Sequence, residues 1–84
     1  MTAIEIAADY YGRTVTVARG TGEATLSRRE VETALRNIAA GRYDVLDLGS
    51  IVLDEADLAA MRERLDDRAR KLADLKADAT RGEA

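Results

Sequence analysis

No cysteine, histidine, proline, phenylalanine or tryptophan occurs among the 84 residues, and only three are tyrosine. Without cysteine there are no disulfides and no thiolate chemistry, and the redox compartment is left open. Without histidine, Ser27 and Ser50 have no imidazole to take a proton. Lysine activation is the formal remainder, but Lys71 and Lys76 fall on the polar flanks of a helix. The expectation is a non-enzymatic protein with no cofactor and no metal site. Lacking large aromatics, the interior must be built from Ile, Val, Leu and Ala. There is no proline-rich linker, internal repeat or low-complexity segment.

Long apolar runs are also missing, and the first residues lack a basic region followed by an apolar stretch. The default expectation is a soluble, cytoplasmic protein that makes no use of a membrane. A strong charge of either sign is absent as well, because the net charge is −3. Residues 1–53 carry 7 acids and 6 bases, and residues 54–84 carry 9 acids and 7 bases. Neither half is a basic footprint for nucleic acid, and interleaved Arg and Lys make the acidity a poor imitation of a DNA backbone.

What is present fits one domain. A chain this short buries roughly 60% of the surface its unfolded form exposes, so its core is thin and pairing with a partner is favoured. Alternation through Ile4, Ile6, Ala8 and Tyr10 predicts a strand over 2–10. Gly12 supplies a turn, and Val15 and Val17 mark a second strand over 13–18. Gly20 and Gly22 then break the chain, leaving 23–26 as a short third strand of a meander.

Ser27 and Glu30 stand at capping-box spacing, and Leu26 with Val31 forms the hydrophobic staple around them. Val31, Ala34, Leu35 and Ile38 share one face, and Gly41 suits the left-handed backbone that ends a helix. A helix is therefore expected over 28–40. Residues 43–53 are rich in Val, Ile and Leu around Gly49 and Ser50. They read either as a type II′ hairpin or as one strand bulged at Gly49. Asp54 caps a long helix over 55–79, with Glu55 and Asp57 in its first turn.

The fold class is thus α+β. A small antiparallel sheet, from the N-terminal hairpin or meander plus the 43–53 segment, packs against a short helix (28–40) and a long one (55–79). Residues 1–79 form the single domain, and 80–84 a frayed tail.

Leu58, Met61, Leu65, Leu72, Leu75 and Ala79 recur at steps of three and four, and only Arg68 interrupts them. The stripe runs roughly 33 Å along one helix face. Its first half packs beside Val31, Leu35 and Ile38. Its second half would then project past a small sheet, with Arg68 at the changeover; the alternative is that the whole stripe packs within the molecule. Arg68, Leu72, Leu75 and Ala79, flanked by Lys71 and Lys76, are the candidate contacts for another protein. A parallel self-pair would set Lys71 near Lys76, so a homodimer would be antiparallel. Tyr11, opposite Tyr10 in an extended chain, adds an interface anchor.

Arg28 and Arg29 stand in the first turn of their helix, where cations oppose the dipole. With Arg36 they are candidate contacts for phosphates, nucleic acid or an acidic surface. The competing account pairs Arg28 with Glu32 and Glu32 with Arg36 along the solvent side. Asp44, Asp47 and Asp54 lack the spacing of any calcium loop. Gly20-Thr21-Gly22 lacks the third glycine of a phosphate fingerprint.

Asp54-Glu55-Ala56-Asp57 resembles the acidic box of certain RNA helicases, but no phosphate loop accompanies it and helix capping explains it. The helix–hairpin–helix order from Ser27 to Leu65 resembles small dimeric antitoxins whose C-terminal helix wraps a toxin, although the N-terminal hairpin departs from that pattern. The leading expectation is a small inhibitor or regulator of another protein. It would be of the kind phages and mobile elements encode, including inhibitors of CRISPR effectors. A dimeric antitoxin or DNA-binding repressor, and a structural subunit of a virion-like assembly, are the alternatives.

Overall fold

Both helices begin where side chains supply the hydrogen bonds that the first backbone turn cannot. Glu30 N–H donates to Ser27 Oγ at 3.2 Å, and Ser27 N–H donates back to Glu30 Oε1 at 3.0 Å. Asp57 N–H donates to Asp54 Oδ1 at 2.8 Å, and Asp54 N–H to Asp57 Oδ2 at 3.2 Å. Each pair satisfies two otherwise orphaned donors.

The computed structural model describes residues 4–82, with side chains as far as Ala77. The order is β1 (Glu5–Ala8), β2 (Thr14–Arg19), β3 (Gly22–Ser27), α1 (Arg28–Ala39), β4 (Leu46–Asp47), β5 (Val52–Leu53) and α2 (Glu55–Gly82). Strands β1, β2 and β3 form an antiparallel meander, and β4 with β5 makes a separate two-stranded sheet. The expected α+β architecture is present.

The 43–53 segment is a hairpin, not a bulged strand. Leu46 pairs with Leu53 and Asp47 with Val52, and Leu48 N–H donates to the Ile51 carbonyl at 2.9 Å. Only Gly49 and Ser50 lie between, and Gly49 has the positive φ (85°) that a primed turn requires. The hairpin meets the meander at the outer edge of β3, where Ser50 Oγ donates to the Glu23 carbonyl at 3.0 Å. Gly22 is obligatory there, since a Cβ would lie 2.1 Å from the Ser50 carbonyl oxygen.

Helix α1 ends in a Schellman arrangement. Arg42 N–H donates to the Asn37 carbonyl and Gly41 N–H to the Ile38 carbonyl, with Gly41 at φ 76°.

Alternation in the meander puts Val15, Val17 and Leu26 on its covered face, beneath both helices. They join Val31, Ala34, Ile51, Leu53, Leu58, Met61 and Leu65 in one buried core. The other face carries Thr14, Thr16, Ala18, Glu23 and Thr25, and Thr16 and Thr25 hydrogen-bond across it at 3.0 Å. Leu35 and Ile38 border the core, half-buried.

Most elements match expectation to within a residue; the ends of β1 and α2 differ by more. Strand β1 stops at Ala8 because the Asp9 carboxylate takes the backbone N–H groups of Arg13 (2.6 Å) and Thr14 (3.2 Å), folding the chain over. Tyr10 therefore lies in the turn; residues 2 and 3 lie outside the described ones. Helix α2 continues three residues beyond 79, and of the expected frayed tail only 83 and 84 lie outside it and outside the described residues.

Twenty-eight residues of α2 span about 42 Å at 1.5 Å per residue. The molecule measures 51 × 29 × 17 Å. Its radius of gyration is 15.2 Å, against about 12 Å for a compact chain of this length. The excess comes from the end of α2, which outruns the sheet.

Candidate binding surface

The long helix leaves the body over the β1–β2 turn. Gly12, at φ 68°, fits so closely beneath it that a Cβ would lie 3.1 Å from the Leu65 carbonyl oxygen and 3.2 Å from Ala69 N. Asp9 organises the turn. Desolvation pushes its carboxyl up, but the backbone N–H groups of Arg13, Thr14 and Gly12 outweigh that and hold it below the ordinary carboxylate value.

Arg68 explains the break in the apolar stripe. Its Nε donates to the Tyr10 carbonyl at 2.8 Å, and its guanidinium lies 4.6 Å from the centre of the Tyr10 ring. A leucine there could do neither. The Tyr10 and Tyr11 rings meet edge to face at 5.1 Å, and the Arg13 guanidinium stands 5.4 Å from the Tyr11 ring. Both tyrosines are 58% exposed. Neither closes the core, because the turn lifts them off the sheet.

Beyond this clasp the stripe is progressively uncovered. Leu65 is fully buried, Leu72 half-buried, and Leu75 53% exposed. Lys71 and Lys76 are exposed on its flanks. The side chain of Ala79, the last residue expected in the stripe, lies outside the described ones.

The arginines of α1 divide. Arg28 Nη1 reaches Asp66 on α2 at 2.6 Å and Glu32 at 4.0 Å, so it ties the two helices together. Arg29 and Arg36 are exposed and, at seven residues apart, share the outward face of α1. Glu32 does not pair with Arg36 among the described residues; its partner is Arg28.

Arg29 borders a hollow of about 340 Å³ between α1 and the hairpin, floored by Leu26, Ala34, Tyr43, Leu46 and Leu48. Among the described residues no group of acidic side chains could hold a metal ion. Asp47 accepts from Gly49 N–H, and Asp54 caps α2. No helix among the described residues is long and apolar enough to cross a membrane.

Two features carry no local signature. Arg19 donates to the Val52 carbonyl (3.1 Å) and pairs with Asp57 (3.0 Å), fastening β2 to the hairpin and to the start of α2. Arg64 and Lys71 line the groove beside β1, and neither has a carboxylate partner among the described residues. Charge at those positions was visible in the sequence, but which strand would lie beside them was not.

No family model, curated protein or solved structure matches this chain.

Proposed function

We propose that the chain is a non-catalytic binding module, an inhibitor or regulator that docks the outlying end of α2 against another protein. The observation that carries this reading is Leu75, 53% exposed on a helix that extends past its own sheet. Exposed apolar area beside aromatic anchors is the usual chemistry of a protein contact. Tyr10 and Tyr11 supply rigid aromatic area at the base of the same helix segment, with Arg13 and Arg68 against their rings. The absence of histidine and cysteine from the sequence supports the non-catalytic half of the reading.

The test is affinity capture from a lysate of the source cell or its host, with Leu75→Asp as the matched control. Leu75→Asp leaves thermal unfolding cooperative and close to that of the parent, while the specifically retained protein disappears. Retention of the same protein by both forms would remove the helix end from the contact. Sedimentation of both forms identifies a second copy as the partner if only the parent dimerises.

A further inference from the structure

We propose that the open edge of β1 accepts an extended acidic segment of a partner protein as a fourth strand of the meander. The inference concerns a different surface from the helix end and stands without it.

The two edges of the meander are unlike. At β3 the outward Glu23 carbonyl accepts from Ser50 and the outward Ser27 N–H donates to Glu30, so only the Glu23 N–H and the Thr25 peptide groups between them are left unbonded by a described group. At β1 the pairing phase is set by Asp9 N–H, which donates to the Thr14 carbonyl at 2.9 Å. In an antiparallel ladder the bonded pairs alternate, so Glu5 and Ala7 turn their peptide groups toward β2. Ile6 and Ala8 turn theirs outward. That leaves two donors and two acceptors at the spacing a strand recognises, and no described group bonds them. An edge of this kind is a template for strand addition.

The edge has a wall, and the wall has a sign. Ile6 and Ala8 share a groove of about 280 Å³ with Arg64, Asp67, Arg68 and Lys71 of α2. Asp67 is paired with Arg70. Arg68 is held by the Tyr10 carbonyl and ring but keeps its charge. Arg64 and Lys71 are exposed with no carboxylate partner among the described residues. The groove is therefore cationic in a protein whose net charge is −3.

That sign selects the occupant. A second copy added through its own β1 would bring its Arg64 and Lys71 toward the same groove, setting like charges together. Its β1 would bring no acid to the groove side, because Glu5 lies on the opposite, exposed face, and the Asp67 that comes with its helix is already paired with Arg70. A strand with Asp or Glu on its helix-facing positions meets Arg64 and Lys71 instead. The other face of that strand lies beside Glu5 and carries no acid.

The test uses the isotopically labelled whole protein with two eight-residue peptides, one alternating Glu and Val, the other Lys and Val. The Glu peptide shifts the backbone amides of Ile6, Ala8 and 64–71, slows exchange at Ile6 and Ala8, and weakens as salt rises. The Lys peptide causes neither the amide shifts nor the slowed exchange. Ala8→Pro removes an outward N–H without touching the β1–β2 ladder and lowers affinity at least tenfold. Because a proline variant can fail to fold, charge reversal at exposed positions is the second arm. Arg64→Glu with Lys71→Glu transfers the preference to the Lys peptide. Leu75→Asp leaves Glu-peptide binding unchanged, so failure of the helix-end contact and failure of this edge are distinguishable. Several results overturn the proposal: no shifts with the Glu peptide, equal shifts with both peptides, shifts confined to the hollow by Arg29, or a dimer of the free protein protected at Ile6 and Ala8.

Discussion

Truncating two leucines of the same stripe, Leu65 and Leu75, separates the part of α2 that folds the protein from the part that does not. Leu65 is fully buried in the core, so Leu65→Ala loses its transfer energy and leaves a cavity, together about 2–5 kcal/mol. The site cannot collapse easily: Leu65's carbonyl oxygen is against Gly12, and the fully buried Met61 and Leu58 precede it on the same face. A value of about 3 kcal/mol is reasonable for such a site. For a domain of this size each kcal/mol lowers Tm by about 4–8 °C, giving a fall of about 12–24 °C. Leu75 starts 53% exposed, and part of its cover comes from its own helix, which is present whether or not it docks. Alanine also has the higher helix propensity by a few tenths of a kcal/mol. Leu75→Ala should therefore cost less than about 0.5 kcal/mol, within about 4 °C in Tm. Urea titration followed by circular dichroism, with the m-value unchanged, measures both. If the two variants lose equal stability, the helix end belongs to the core and the docking argument fails.

Gly12→Ala should destabilise by about 1–3 kcal/mol, because it combines a positive φ with two backbone contacts on α2. A thermal melt within 2 °C of the parent would show that the turn lifts off the helix freely. The Asp9 carboxyl is held below its unfolded value of 3.8, so its contribution is complete above that pH. It is lost as pH falls through the lower folded value. Stability curves of the parent and Asp9→Asn should therefore differ at pH 6 and converge as pH falls below 3.8. A gap that stays constant with pH would mean that the charge of Asp9 is not what holds Arg13 and Thr14.

The parts of the fold legible in the sequence are those whose determinants lie within one helical turn or one strand pair. Ser27 and Glu30 are three residues apart, and the helix they announce runs Arg28–Ala39, one residue short of expectation. Asp54 and Asp57 do the same for α2, and Gly49–Ser50 makes the hairpin alternative that the segment offered. Strand β1 ends earlier than its pattern implies, because period-two alternation continues through Tyr10, whereas a side chain, the Asp9 carboxylate, decides where pairing stops. Nothing in hydrophobic spacing registers that competition.

The candidate surface was harder to read for a physical reason. The arginines that matter act across long separations: Arg19 on Val52 and Asp57, Arg28 on Asp66, and Arg68 on Tyr10. Arg28 broke the dipole rule for the first turn of α1, which marked it as a candidate contact; the compensation turned out to be a carboxylate on the neighbouring helix. Arg68 broke the stripe, and there the sequence was informative in a way that composition was not. A charge at a seam position is tolerated only where it finds a polar partner, and the backbone of a tight turn is one. The break thus falls where α2 passes from covered sheet to the Tyr10–Gly12 turn. The apolar positions before it, Leu58, Met61 and Leu65, are all fully buried, and those after it lose cover step by step from Leu72 to Leu75. One polar interruption in an otherwise regular stripe therefore divides this helix into a half that completes the fold and a half that its own sheet leaves uncovered.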